Sequence, residues 1–119
     1  MRFTRFAKGR TVRRTPGTMN KTEAAYAAIL AVEQAAGEVL WFAFEAMTFK
    51  LAPDTRFTPD FVVMAADGTM EIREVKGHWE DDALVKIKVC AELFPFRVRA
   101  FSPVAKRDGG GWKERTFGE

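Results

Sequence analysis

From residue 20 to residue 37 the apolar positions recur at helical spacing, and from residue 38 to residue 76 they alternate or run together as strands do. Asn20-Lys21-Thr22-Glu23 has the form of a capping box, with Asn20 as N-cap and Glu23 at N3. Alanine is dense from there to Ala36, and Gly37 is placed to end the helix. Glu23, Tyr26, Ala27 and Leu30 share one stripe of it, the stripe expected to face a sheet. Glu38 to Leu51 (EVLWFAFEAMTFKL) reads as strand with an interruption near Glu45-Ala46. Pro53-Asp54 is a turn, Phe57 to Ala65 a second strand region, and Asp67-Gly68 a hairpin signal from which Met70 to Lys76 returns. After Gly77, Asp81 or Asp82 can cap a second helix running to about Phe94. Pro95 stops that helix, and Phe96 to Phe101 alternates as a final strand. The order predicts an α/β domain with a mixed sheet. The expected organisation is a basic arm over residues 1–18, one domain over 19–102, and a loose tail over 103–119, where three consecutive glycines sit among scattered charges.

Composition narrows the chemistry. At 119 residues, 47% apolar and 13% aromatic, the chain can bury one modest core. Cys90 is the single cysteine and His78 the single histidine. That excludes an internal disulfide, a zinc site of cysteine and histidine ligands, and nucleases that use paired histidines. Any metal would be held by oxygen, which suits magnesium, manganese or calcium. No apolar run approaches the ~20 residues that span a bilayer, and no apolar stretch follows the basic N-terminus as in a secretory signal. A cytoplasmic location and no membrane partner are expected. Charge is uneven: residues 1–21 carry seven basic side chains and no acid, while the remainder carries twelve basic and sixteen acidic. An arm holding Arg5, Lys8, Arg10, Arg13 and Arg14 without an apolar face suits a nucleic acid, or it is a solvated tail.

The unusual stretch is Arg56 to Gly77, RFTPDFVVMAADGTMEIREVKG, which sets charged residues at strand positions. Glu74 and Lys76, two apart, share a face. Pairing about the middle of Asp67-Gly68 puts Asp60 roughly opposite Val75, so both carboxylates can reach one point at the open end of the hairpin. Converging carboxylates repel unless a cation lies between them, and magnesium is held by one or two carboxylates with water and phosphate. Lys76 beside them could orient a water, stabilise a pentacovalent phosphorus, or act as a base. Plainer explanations exist. Asp60 can cap a turn at Pro59, Glu74 and Lys76 can be a solvated edge, and Glu23 is already used by its capping box. Trp79 can stack on a base or pack under the second helix. Lys86 can pair with Asp82 or hold a substrate phosphate, and Lys88 is its rival for that place.

At these residues the chain resembles a known superfamily. Thr58-Pro59-Asp60-Phe61 followed by Glu74-Val75-Lys76 matches the PD-(D/E)xK pattern of the restriction-endonuclease-like nucleases, whose core runs αβββαβ with a mixed central sheet flanked by helices. The chain looks most like small phage and prophage members that carry a phrase such as TPDF…EVKG, then a helix with two lysines and FP. The resemblance covers about residues 20–101. It implies a magnesium-dependent DNA endonuclease, with manganese as a possible substitute, that hydrolyses phosphodiester bonds in phage DNA recombination, repair or processing, in the cytoplasm of a bacterial host. It makes Asp60 and Glu74 metal ligands with the Val75 carbonyl, Lys76 the catalytic lysine, and Glu23 a further catalytic carboxylate on the first helix. The arm has no counterpart in the family's core, so Arg5, Lys8, Arg10, Arg13 and Arg14 are expected DNA contacts on charge alone, and Lys86 is one by its place on the second helix. A junction-resolving enzyme would be expected to form a homodimer. The alternatives are a catalytically weak nucleic-acid-binding module and a phage structural or interaction protein.

Overall fold

The structure, a computed structural model, describes residues 17–118; Arg5, Lys8, Arg10, Arg13 and Arg14 of the arm lie outside them. Helix α1 (Lys21–Ala35) begins at the anticipated box, with Asn20 accepting from the Glu23 N–H at 2.8 Å and Glu23 accepting from the Asn20 N–H at 2.9 Å. The strand region after it divides where expected. Strand β1 (Val39–Phe44) ends at Glu45, whose φ of 51° turns the chain away, and β2 (Phe49–Ala52) folds onto β3 (Thr55–Phe57) across Pro53-Asp54.

Four features differ from expectation. The region Phe57 to Ala65 is not one strand. Thr58-Pro59 breaks it, since proline lacks an N–H and pins the residue before it, so β3 belongs to the small β2–β3 sheet and β4 (Phe61–Ala65) to the main one. The hairpin between β4 and β5 (Met70–Val75) has a three-residue loop, not a two-residue one. Ala65 faces Thr69, Gly68 takes φ 88°, and Asp67 accepts from the backbone N–H and hydroxyl of Thr69 at 3.0 and 2.7 Å. Phe61 therefore pairs with Arg73, which puts Asp60 beside Glu74 and not opposite Val75. Helix α2 (Asp81–Leu93) takes Glu80 as its N-cap residue, without a side-chain cap. Finally, the expected loose tail is strand β7 (Trp112–Phe117), which follows β6 (Arg97–Pro103) after a 3₁₀ turn at Lys106–Asp108.

The result is an α/β fold: a mixed five-stranded sheet in the order β1-β4-β5-β6-β7, parallel only between β5 and β6, which α2 connects. Helix α1 covers one face, where Tyr26 and Leu30 meet Phe61, Val63, Val75 and Phe101. Helix α2 and the β2–β3 hairpin cover the other, where Ile87 and Cys90 meet Ile72, Val98, Phe49, Phe57 and Phe117. Strand β7 closes against α2 at Gly118, where a Cβ would stand 2.9 Å from that of Ala91. Among the described residues no helix is long and apolar enough to cross a membrane.

On the α1 face runs a charged network that no local pattern of residues anticipates. Arg73 is buried and reaches the Tyr26 hydroxyl at 3.0 Å, Glu33 at 3.2 Å and Glu71, which also takes Arg99 at 2.7 Å. Arg99 in turn pairs with Glu114 of β7 at 2.6 Å. Burial of arginine is tolerable here because each guanidinium meets two different carboxylates through different nitrogens.

Candidate active site

The site lies where β4 begins and β5 ends. Pro59 is fully buried and delivers Asp60 to the start of β4, and the Asp60 carbonyl accepts from the Glu45 N–H at 2.7 Å. One residue of hairpin register then decides the rest. With Phe61 opposite Arg73, Asp60 and Glu74 are neighbours across the strand pair, and each carboxylate takes a backbone N–H from the other strand. Glu74 Oε1 accepts from Asp60 N at 2.8 Å, and Asp60 Oδ2 accepts from Val75 N at 2.8 Å. The remaining oxygens, Asp60 Oδ1 and Glu74 Oε2, have no backbone donor among the described residues. Lys76 Nζ stands 3.6 Å from Glu74 Oε2, and the Lys76 N–H donates to Phe101 O at 3.0 Å, which carries the β5–β6 pairing one residue further.

Electrostatics make this pair costly. Asp60 is 7% exposed and Glu74 5%. Burial first, then the charge of Glu74, pushes the Asp60 carboxyl far above the ordinary carboxylate range, against the pull of the Val75 N–H. Burial also pushes Glu74 up, against the ammonium of Lys76 and the Asp60 N–H. Glu23 is buried at 4% on the sheet-facing stripe of α1, and its charge raises both groups further. The capping box and proximity to the site thus hold together, because the helix starts with its first turn over the mouth of β4.

In front of Glu74 is an open cleft of about 390 Å³ between the β2–β3 hairpin and α2, and Asp60 lies behind Glu74 without lining it. Glu74 and Lys76 form its floor, Lys86 and Asp82 its α2 wall, and Arg56, Thr48 and Thr58 its hairpin wall. The two threonine hydroxyls are hydrogen-bonded at 2.8 Å. Of the two α2 lysines, Lys86 lines the cleft and Lys88 is exposed outside it. Trp79 packs edge-on against Phe117, with ring centroids 6.2 Å apart, which is the packing explanation. His78 is exposed. Sequence reasoning missed the hairpin wall. Arg56 and Thr58 alternate immediately before Pro59-Asp60, a signal that was available, but Thr48 is legible only once β2 and β3 are paired.

Among the described residues no group of three or more histidine, cysteine, aspartate or glutamate side chains is arranged to hold a metal, so Asp60 and Glu74 are a pair of oxygen donors rather than a closed cage. Comparison with known protein families, with curated proteins and with solved structures finds no match.

Proposed function

We propose that the chain is a divalent-metal-dependent phosphodiesterase acting on DNA, built on a restriction-endonuclease-like core. One observation carries the reading: two buried carboxylates side by side, each tied to the other's strand, with an ammonium 3.6 Å from Glu74 and an open, partly basic cleft in front of Glu74. Without a metal ion the two carboxylates repel each other, with only the Lys76 ammonium set against that repulsion.

The donor set fits magnesium or manganese. Two carboxylates with the Val75 carbonyl would hold the ion, and water and phosphate oxygens would complete its shell, as hard cations accept. The chemistry the ion supplies when bound is charge neutralisation at phosphorus and a lower pKa for water. The protein's own groups do the remainder. Lys76 orients the water and holds negative charge that accumulates on the phosphoryl oxygens. Lys86 and Arg56, on opposite walls, bind the phosphate between them. Hydrolysis adds water across one P–O bond: the water oxygen bonds to phosphorus and gives its proton to bulk solvent, the bond from phosphorus to the DNA oxygen breaks, and that oxygen takes a proton from solvent. A role in phage DNA recombination, repair or processing suits the resemblance. Paired incision of a junction would require two copies, which the mass of the free and DNA-bound protein would reveal.

The test is nicking of supercoiled plasmid with and without magnesium. Wild type should nick only with the ion, and Asp60→Asn and Glu74→Gln should each lose about 10²-fold or more. Nicking that is indifferent to both substitutions would overturn the reading.

A further inference from the structure

The segment carrying Glu74, Lys76 and Gly77 has a second depression on its other side. This groove, about 590 Å³, is formed by β6, β7 and the loop before α2. Its floor is small, with Ala100 and Ser102 of β6 and the backbone of Gly77, and Lys113 and Arg115 of β7 stand along its side. Residues two apart share a strand face, so both cations project toward the groove. Glu114 between them also borders the groove, but its carboxylate is occupied by Arg99 at 2.6 and 2.7 Å. The guanidinium of Arg115 lies over the Phe117 ring at 4.6 Å, a stacking that orders it before any ligand arrives.

We propose that this β6–β7 groove is a second polynucleotide subsite, which takes the backbone phosphates flanking the scissile one on the Gly77 side. The inference rests on the nuclease reading for its place in the reaction, but its binding stands separately. Cleft and groove flank the same short segment, Lys76 belonging to the first and Gly77 to the second. A polymer of regularly spaced phosphates held over Lys76 therefore continues past Gly77 into the reach of Lys113 and Arg115. An acidic peptide lacks that fixed charge spacing, and failure of DNA to bind here would leave it as the other occupant.

The experiment measures binding of a fluorescent duplex oligonucleotide to the full chain in EDTA, from low to moderate salt, by anisotropy. Wild type is compared with Lys113→Gln/Arg115→Gln, with the charge-preserving Lys113→Arg/Arg115→Lys, and with Lys88→Gln as an exposed control elsewhere. Losing two phosphate contacts should lower the slope of log K against log salt by about 2 and weaken binding about 10-fold or more at low salt. The charge-preserving pair and Lys88→Gln should behave as wild type, which separates charge from folding. With magnesium, the glutamine pair should raise KM for plasmid nicking and leave kcat unchanged. Unaltered slope and affinity in the glutamine pair overturn the proposal, as does a wild type that binds no DNA. Groove-dependent binding without nicking upholds it and instead sinks the catalytic reading.

Discussion

Asp60 and Glu74 each bear two opposed demands. Their backbone hydrogen bonds fix the junction of β4 and β5, while their burial and mutual repulsion work against folding whenever both are ionised. Both carboxyls titrate above the unfolded value of about 4, so between that pH and neutrality the folded chain binds more protons than the unfolded one. Stability is therefore fully present in mild acid and is lost as pH rises. Thermal melts of the metal-free protein should show Tm falling from about pH 4 toward neutrality. The Asp60→Asn variant should flatten that fall and melt a few degrees higher at neutral pH. Magnesium should restore Tm in wild type and not in the variant, as a ligand of the folded state alone does. A metal-free Tm that rises over this range would mean the pair is not repulsive.

Among the elements, the β4–β5 hairpin has the largest effect, because its loop chooses which residue Asp60 faces. A three-residue loop needs a left-handed residue, and Gly68 supplies it at φ 88°. Gly68→Ala should cost about 1–2 kcal/mol, measurable by denaturant unfolding, with nicking retained where the protein remains folded. An unchanged midpoint would mean the loop has another conformation. This loop also shows where sequence reading stopped. Asp-Gly was legible as a turn, but its two- or three-residue form depends on how Thr69 engages Asp67, and the difference moved the expected partner of Asp60 by one position. The capping box, the break at Glu45 and the glutamate-lysine pair were legible because each is a local pattern with a local cause. Strand β7 was not, since WKERTF buries only Phe117 fully and its alternation of charge becomes meaningful only beside Arg99 and the groove.

Across the whole molecule, the two faces of the sheet divide the work. The α2 face holds the candidate site, and the α1 face holds the ionic network that links α1, β5, β6 and β7 through Tyr26, Glu33, Arg73, Glu71, Arg99 and Glu114. Arg73 is its centre, 8% exposed, and its guanidinium also lies over Phe101 at 5.5 Å. Arg73→Met removes one partner and leaves buried carboxylates, so it should destabilise by about 3–5 kcal/mol. Denaturant unfolding would measure this, and a loss under about 1 kcal/mol would place the network at the surface in energetic effect. Nicking by the fraction still folded should persist, because no atom of Arg73 lines the cleft. Nothing in the sequence marked Arg73 for this role: it stands in an alternating strand like any exposed arginine, and its partners come from residues 26 to 101.

Cys90 closes the underside of α2, fully buried against the sheet, with burial holding its thiol up to about 11. A thiol so placed is both hidden and protonated at neutral pH, so an alkylating reagent can reach it only when α2 lifts away. The chain thus carries one chemical clock for the opening of the wall that bears Lys86. Its labelling rate, read by mass spectrometry, should slow when DNA is added, and equal rates with and without DNA would mean that α2 opens independently of it.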